Sequence, residues 1–193
     1  MAIEIDREDV LLLIFDAYER SFHKATFNGV TRLEKLIFLL GAEAGLKDVA
    51  DLFAFRAYKF GPYSKGVYDA EEFLESMGLV DVEVKPYHSY FLAEEEKELS
   101  RDIDDEAEDD PTSAGHERLF SLTDNGRLLA RKLRDEWKRD RPGELKQLDE
   151  VTQRYGTLPL NQIIRYVYRR FPDMAERSIH PEAQRLAANA RLA

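Results

Sequence analysis

The chain has 193 residues, a formal net charge of −10, and 44% hydrophobic against 34% charged side chains. That length and apolar fraction support one compact core with an appended helical part. The lack of cysteine excludes disulfides, thiolate metal centres and cysteine nucleophiles, and no apolar run approaches the roughly 20 residues of a membrane span.

The first residues include Glu4, Asp6, Glu8 and Asp9, unlike the basic start of a secretory signal. The expectation is a cytoplasmic protein with no membrane contact. Asp9 to Arg20 reads as a helix with Val10, Leu13, Ile14 and Ala17 on one face. Phe27-Asn28-Gly29 reads as a turn. Thr31-Arg-Leu-Glu34 matches a capping box, in which hydroxyl and carboxylate satisfy each other's backbone amides. The helix behind it, Arg32 to Ala44, turns Leu33, Leu36, Ile37 and Leu40 to a core and ends at Gly45.

Phe53 to Phe60 is aromatic-rich and strand-like, and runs into Gly61-Pro62. A helix follows at once, with Ser64 placed to cap it and Val67, Ala70, Phe73, Leu74 and Met77 at helical spacing. Gly78 closes it. Leu79 to Val84 alternates like a half-buried strand, Tyr87 to Leu92 reads as a second strand and Arg118 to Leu122 as a third. Glu94–Asp110 lies between the last two. It holds eleven acids against two bases, and reads most simply as a disordered loop.

Thr123 caps a helix from Asp124 to Asp140, which Pro142-Gly143 breaks. Further helices cover Glu144 to Tyr155 and Pro159 to the approach of Pro172, the latter with Ile163, Ile164, Val167 and Tyr168 inward. An Ala-rich tail follows from Pro181. From Asp124 onward, bases outnumber acids by fifteen to ten, so the acidic segment hides a basic C-terminal half. The high overall acid load also fits a salt-loving cytoplasm, where surface carboxylates keep proteins soluble.

The order is helix, helix, strand, helix, strand–loop–strand, then helices. The fold class expected is α+β and mostly helical: a winged-helix-like core with a β-hairpin wing and additional C-terminal helices. The boundaries are a winged-helix-like domain over 1–123 with an acidic wing insert at 94–115, a C-terminal helical extension over 124–178, and a flexible or partner-dependent tail over 179–193.

Arg32-Leu-Glu-Lys-Leu-Ile-Phe-Leu-Leu40, Tyr58-Lys-Phe-Gly-Pro-Tyr-Ser64, Phe73-Leu74 and Gly78-Leu-Val80 form one pattern. Leu158-Pro-Leu160, Ile164-Arg-Tyr-Val-Tyr168 and Phe171-Pro172 complete it. This pattern resembles the YwgA-like group of largely uncharacterised prokaryotic proteins. More distantly it is similar to the Panacea, or SocA-type antitoxin, domain, in which an aromatic-Lys-aromatic-Gly-Pro motif precedes a helix. The resemblance implies a winged-helix-like fold and a role in regulation or toxin–antitoxin biology without catalysis. The acidic insert and the basic helix depart from that pattern.

Two functional readings follow. The first is a DNA-binding regulator, a homodimer, with Lys65 on the Ser64 helix and Arg127, Arg131, Arg134 and Lys138 on the Thr123 helix as nucleic-acid contacts. Those arginines and Lys138, with Arg141 behind them, step by three and four. They line one helix face beside Leu129, Leu133 and Trp137. The stripe tracks phosphates, or it is a solvated face paired with nearby acids. The Ser64 helix offers Lys65 against Asp69, Glu71, Glu72 and Glu75, which phosphate would repel, so it either reads a groove or is a scaffold or protein-facing helix.

The second reading is an antitoxin-like module that holds a protein partner through Arg56, Tyr58, Lys59, Tyr63 and Tyr68. Exposed, these make a Tyr/Arg hot spot; buried, Tyr58, Phe60 and Tyr63 pack the junction. Tyr166, Tyr168, Arg169 and Arg170 repeat the aromatic–basic mixture, with Tyr168 inward. His23, His88, His116 and His180 show no paired ligand spacing. Gly61-Pro-Tyr-Ser-Lys-Gly66 lacks the phosphate-loop frame, and the acidic run lacks calcium-loop spacing. No cofactor and no enzymatic activity are expected.

Overall fold

The computed structural model describes residues 5–58, 60–86, 116–178, 180 and 182–185. Lys59, the strand expected at Tyr87–Leu92, and the acidic insert all lie outside the described residues, as does most of the tail.

The first helix, α1 (Arg7–Phe22), is the centre of the fold. Every residue from Val10 to Tyr18 is buried, so this helix is covered all round and not on one face alone. Around it pack α3 (Lys47–Phe53), α4 (Lys65–Ser76), α5 (Asp124–Asp140) and α6 (Pro142–Tyr155), while α2 (Val30–Ala42) packs on α3, α4 and α6, and α7 (Leu160–Arg170) packs on α2. The helices after Asp124 share one continuous apolar core with those before it, through Leu133, Trp137, Leu148, Ile163 and Ile164. No helix among the described residues is long and apolar enough to cross a membrane.

Two small antiparallel sheets complete the fold. β1 (Thr26–Asn28), β5 (His116–Leu122) and β4 (Val80–Pro86) form a sheet in the order β1-β5-β4. Phe120 is its pivot. It pairs with Phe27 on one side and Val82 on the other, and its ring stacks 5.7 Å from Phe15 of α1. The ribbon β4–β5 is the expected hairpin flanking the acidic insert. Phe27 and Asn28, read with Gly29 as a turn, instead belong to the short strand β1, because β5 supplies a partner distant in sequence.

The stretch Phe53–Phe60 is not one strand. Phe53 ends α3, and Ala54 reverses the chain with φ +45°. The strands are β2 (Arg56–Tyr58) and β3 (Gly61–Tyr63), paired with Tyr58 opposite Gly61. Gly61 and Pro62 therefore belong to the returning strand, not to the turn. Gly61 has φ +95°, and a Cβ there would stand 2.8 Å from Tyr168 Cε1, so only glycine fits.

Two expected caps differ. The N-cap of α2 is Gly29, and Glu34 does not reach back to Thr31 but turns into the interior. Ser64 is the N-cap of α4 by position, but its hydroxyl donates to the Phe53 carbonyl and accepts no amide of the helix. Thr123 does cap α5, accepting from the Gly126 amide at 3.0 Å.

Candidate functional site

The β2–β3 hairpin carries the most distinctive surface of the molecule. Alternate residues of a strand share a face, and cross-strand partners share it too. Arg56 and Tyr58 therefore stand with Tyr63, the partner of Arg56. The Arg56 guanidinium lies 5.3 Å from the Tyr58 ring centre and 5.2 Å from that of Tyr63, within cation–π range of both. Tyr58 and Tyr63 are 5.2 Å apart, and Tyr68, one turn into α4, continues the ladder at 5.7 Å from Tyr63. Arg56 is exposed and the three tyrosines are half-buried. Phe60, by contrast, is buried in the core. The two readings of this junction thus divide by residue: Phe60 packs it, and the tyrosines are presented.

Beneath the hairpin lies a buried polar seat. Lys35 and Glu34 of α2 are 1% and 3% exposed. Lys35 Nζ donates to the Pro62 carbonyl at 2.8 Å and lies 3.4 Å from Glu34 Oε2. Glu34 Oε1 accepts the Ser64 amide at 3.1 Å. Buried charges persist only when paired and hydrogen-bonded, and here each charge is spent on the backbone of Gly61-Pro-Tyr-Ser64. Tyr168 supports the same strand from α7. Burial pushes its hydroxyl up to about 12, against the hydrogen bond it shares with Ser178 at 2.6 Å.

This seat was open to sequence reasoning. Glu34-Lys35 interrupts the apolar run from Leu33 to Leu40, and charge in such a run signals a buried pair. The capping-box match drew Glu34 away from that reading.

On α4 the inward row is Val67, Ala70, Glu71 and Leu74, spaced i, i+3, i+4, i+7. Glu71 is therefore not an outward carboxylate, and Phe73 and Met77 are not core residues but exposed. Arg118 Nη2 of β5 approaches Glu71 Oε1 at 2.5 Å and Glu75 at 3.6 Å. The approach to Glu71 is close but off the N–H direction, so neither of its oxygens receives an aligned hydrogen bond. Burial pushes the Glu71 carboxyl up to about 8, only partly opposed by Arg118. The outward charges of α4 are Asp69, Glu72 and Glu75 against Lys65, and Lys65 is paired with Asp69.

The basic stripe of α5 is largely consumed internally. Arg134 is not at the surface. It shares the row Ala130, Leu133, Trp137, is 4% exposed, and bridges Asp16 of α1 at 2.5 Å and Asp149 of α6 at 2.9 Å. Arg127 binds both Glu19 oxygens, at 3.0 and 3.1 Å. Arg141 holds Asp48 at 3.1 Å, and Lys138 lies 3.8 Å from Asp135. Arg131 alone of the stripe is exposed with no carboxylate partner among the described residues. The partners lie on α1, α3 and α6 as well as on α5 itself, and helical spacing within α5 could not reveal the distant ones.

Among the described residues no group of three or more His, Asp or Glu side chains is placed to hold a metal ion. No family model, no curated protein and no solved structure matches this chain.

Proposed function

We propose that this chain is a non-catalytic, antitoxin-like module that holds a protein partner on the face formed by Arg56, Tyr58, Tyr63 and Tyr68. The observation that carries this reading is the exposed guanidinium of Arg56 lodged over two half-buried tyrosine rings on one face of the hairpin, with a third ring continuing the row. Tyr and Arg supply large contact area at low entropic cost, which is why they dominate interface hot spots. The buried seat of Lys35 and Glu34 holds the hairpin in place before any partner arrives, which lowers the ordering cost of binding.

The matching partner segment presents a carboxylate to Arg56 beside an aromatic or aliphatic side chain for the rings. Arg56 has no carboxylate of its own among the described residues, so this demand is unmet there.

The second reading is a winged-helix DNA-binding regulator. The sheet order β1-β5-β4 and the ribbon β4–β5 support it. The acidic exposure of α4 and the internal pairing of Arg127 and Arg134 weigh against it, since neither leaves a basic track for phosphates.

The test is photo-crosslinking in the native host, with p-benzoylphenylalanine in place of Tyr63 or, as a control, of exposed Glu150. The expected result is an adduct at position 63 alone, suppressed by Arg56→Glu. Adduct mass separates a foreign chain from a second copy of 22.4 kDa. No adduct at position 63, with retention on labelled genomic DNA that survives Arg56→Glu, would transfer the assignment to the second reading.

A further inference from the structure

A cleft of about 320 Å³ opens between α1 and α5, walled by Asp16, Glu19 and Arg20 from one helix and Arg127 and Arg131 from the other. Each set sits at i, i+3 or i, i+4 spacing, so both rows face the same space. The carboxylates in it are already committed. Both Glu19 oxygens accept from Arg127 Nε, and Asp16 Oδ2 accepts from Arg134 Nε. What remains is an excess of donors. Arg20 is largely exposed and touches Asp16 only at 3.8 Å. Arg131 is exposed and has no carboxylate partner among the described residues. Arg134, which holds Asp16, is buried and is itself matched by Asp149 at 2.9 Å, so the donors left to the cleft are those of Arg20 and Arg131.

We infer that this cleft is a binding site for a tetrahedral oxyanion of the phosphate class carried by a small molecule, with Arg20 and Arg131 as its main ligands and Arg127 at its side. A planar guanidinium fork matches two oxygens of such a group at once. A concave site focuses the field of several like charges on one spot. The ligand is small and not a polymer because the basic row does not continue. Arg134 is buried beyond the cleft, and Arg141 lies at a separate cleft with Asp48. A nucleic-acid backbone needs successive phosphate contacts along a track, and here the contacts end after one group. The inference is independent of the partner face on the hairpin.

Isothermal titration with inorganic phosphate, and in a separate arm with duplex DNA, tests it on the full chain. The expected result is saturable one-to-one phosphate binding. Arg131→Ala and Arg20→Ala each weaken it at least about tenfold, Arg131→Lys less, and Lys138→Ala not at all. Circular dichroism confirms that each variant folds, and both test residues are exposed. Absence of saturable phosphate binding, or binding indifferent to Arg20 and Arg131, would overturn the assignment. So would duplex binding tighter than phosphate binding and dependent on Lys138.

Discussion

Lys35 Nζ donates to the carbonyl of Pro62 across 27 residues of sequence, and both groups are buried. This bond ties the middle of α2 to the returning strand of the β2–β3 hairpin. With Glu34 holding the Ser64 amide, it makes a single charge pair the mount for the partner face.

Removing one member of that pair unbalances the other. Lys35→Met removes both the donor to the Pro62 carbonyl and the cation 3.4 Å from buried Glu34, and is expected to cost about 3–5 kcal/mol. Adding Glu34→Gln to Lys35→Met removes the buried negative charge and keeps an acceptor for the Ser64 amide. The double variant is expected to recover more than half of the loss. Guanidinium chloride unfolding of the two variants checks this, and equal losses would show that the charges are not coupled.

The stripe of α5 makes a paired prediction. Arg134→Met leaves Asp16, itself buried, without its close cation, and is expected to cost about 3–5 kcal/mol. Arg131→Met touches an exposed side chain and is expected to stay within about 0.5 kcal/mol of the parent. Thermal unfolding of both variants at one pH separates the buried arginine from the exposed one.

Glu71 makes stability depend on pH. Its carboxyl is raised by burial from 4.5 to about 8, with Arg118 pulling the other way. The folded chain therefore binds a proton that the unfolded chain has released anywhere between those values. The stabilisation is fully present below pH about 4.5 and is lost as pH rises through about 8. Glu71→Gln cannot ionise, so its stability profile is expected to be flatter over that window, with the largest gain over the parent near pH 8. The charged groups facing this position are Arg118 from β5 and Glu72 and Glu75 from α4. Parallel profiles for the two proteins would mean that Glu71 ionises normally.

Two glycines separate packing from propensity. A Cβ on Gly126 would stand 2.0 Å from the Leu79 carbonyl oxygen, where the first turn of α5 meets the residue before β4. Gly126→Ala is expected to cost about 3 kcal/mol, since backbone and not a flexible side chain must move. A Cβ on Gly143 meets nothing within 4 Å at the start of α6. Gly143→Ala is expected to add about 0.5–1 kcal/mol through helix propensity. Chemical denaturation of the pair gives opposite signs if both arguments hold.

The helices other than α3 (Lys47–Phe53) were legible in the sequence because their apolar residues recur at 3.6 spacing within a single element. α5 runs from Asp124 to Asp140 behind its Thr123 cap, as the pattern indicates, and Ile163, Ile164, Val167 and Tyr168 point inward as read. The ribbon β4–β5 was legible for the same reason, since alternation is local. Two helix faces were misread where a charged residue occupied an inward position. Glu71 follows Val67 by four and Arg134 follows Ala130 by four, so periodicity placed both in the core, and charge alone argued for the surface.

Local pattern, then, was sufficient for the mostly helical α+β class, for most helix limits, and for the paired ribbon around the acidic stretch. It named the tyrosines and Arg56 but not how they stand. Long-range pairing settled the rest: β1 needed β5, Arg134 needed Asp16, and the hairpin needed Lys35. Each of those partners lies on another element. A buried charge is tolerable only where such a partner arrives, and spacing within one element carries no information about what packs against it.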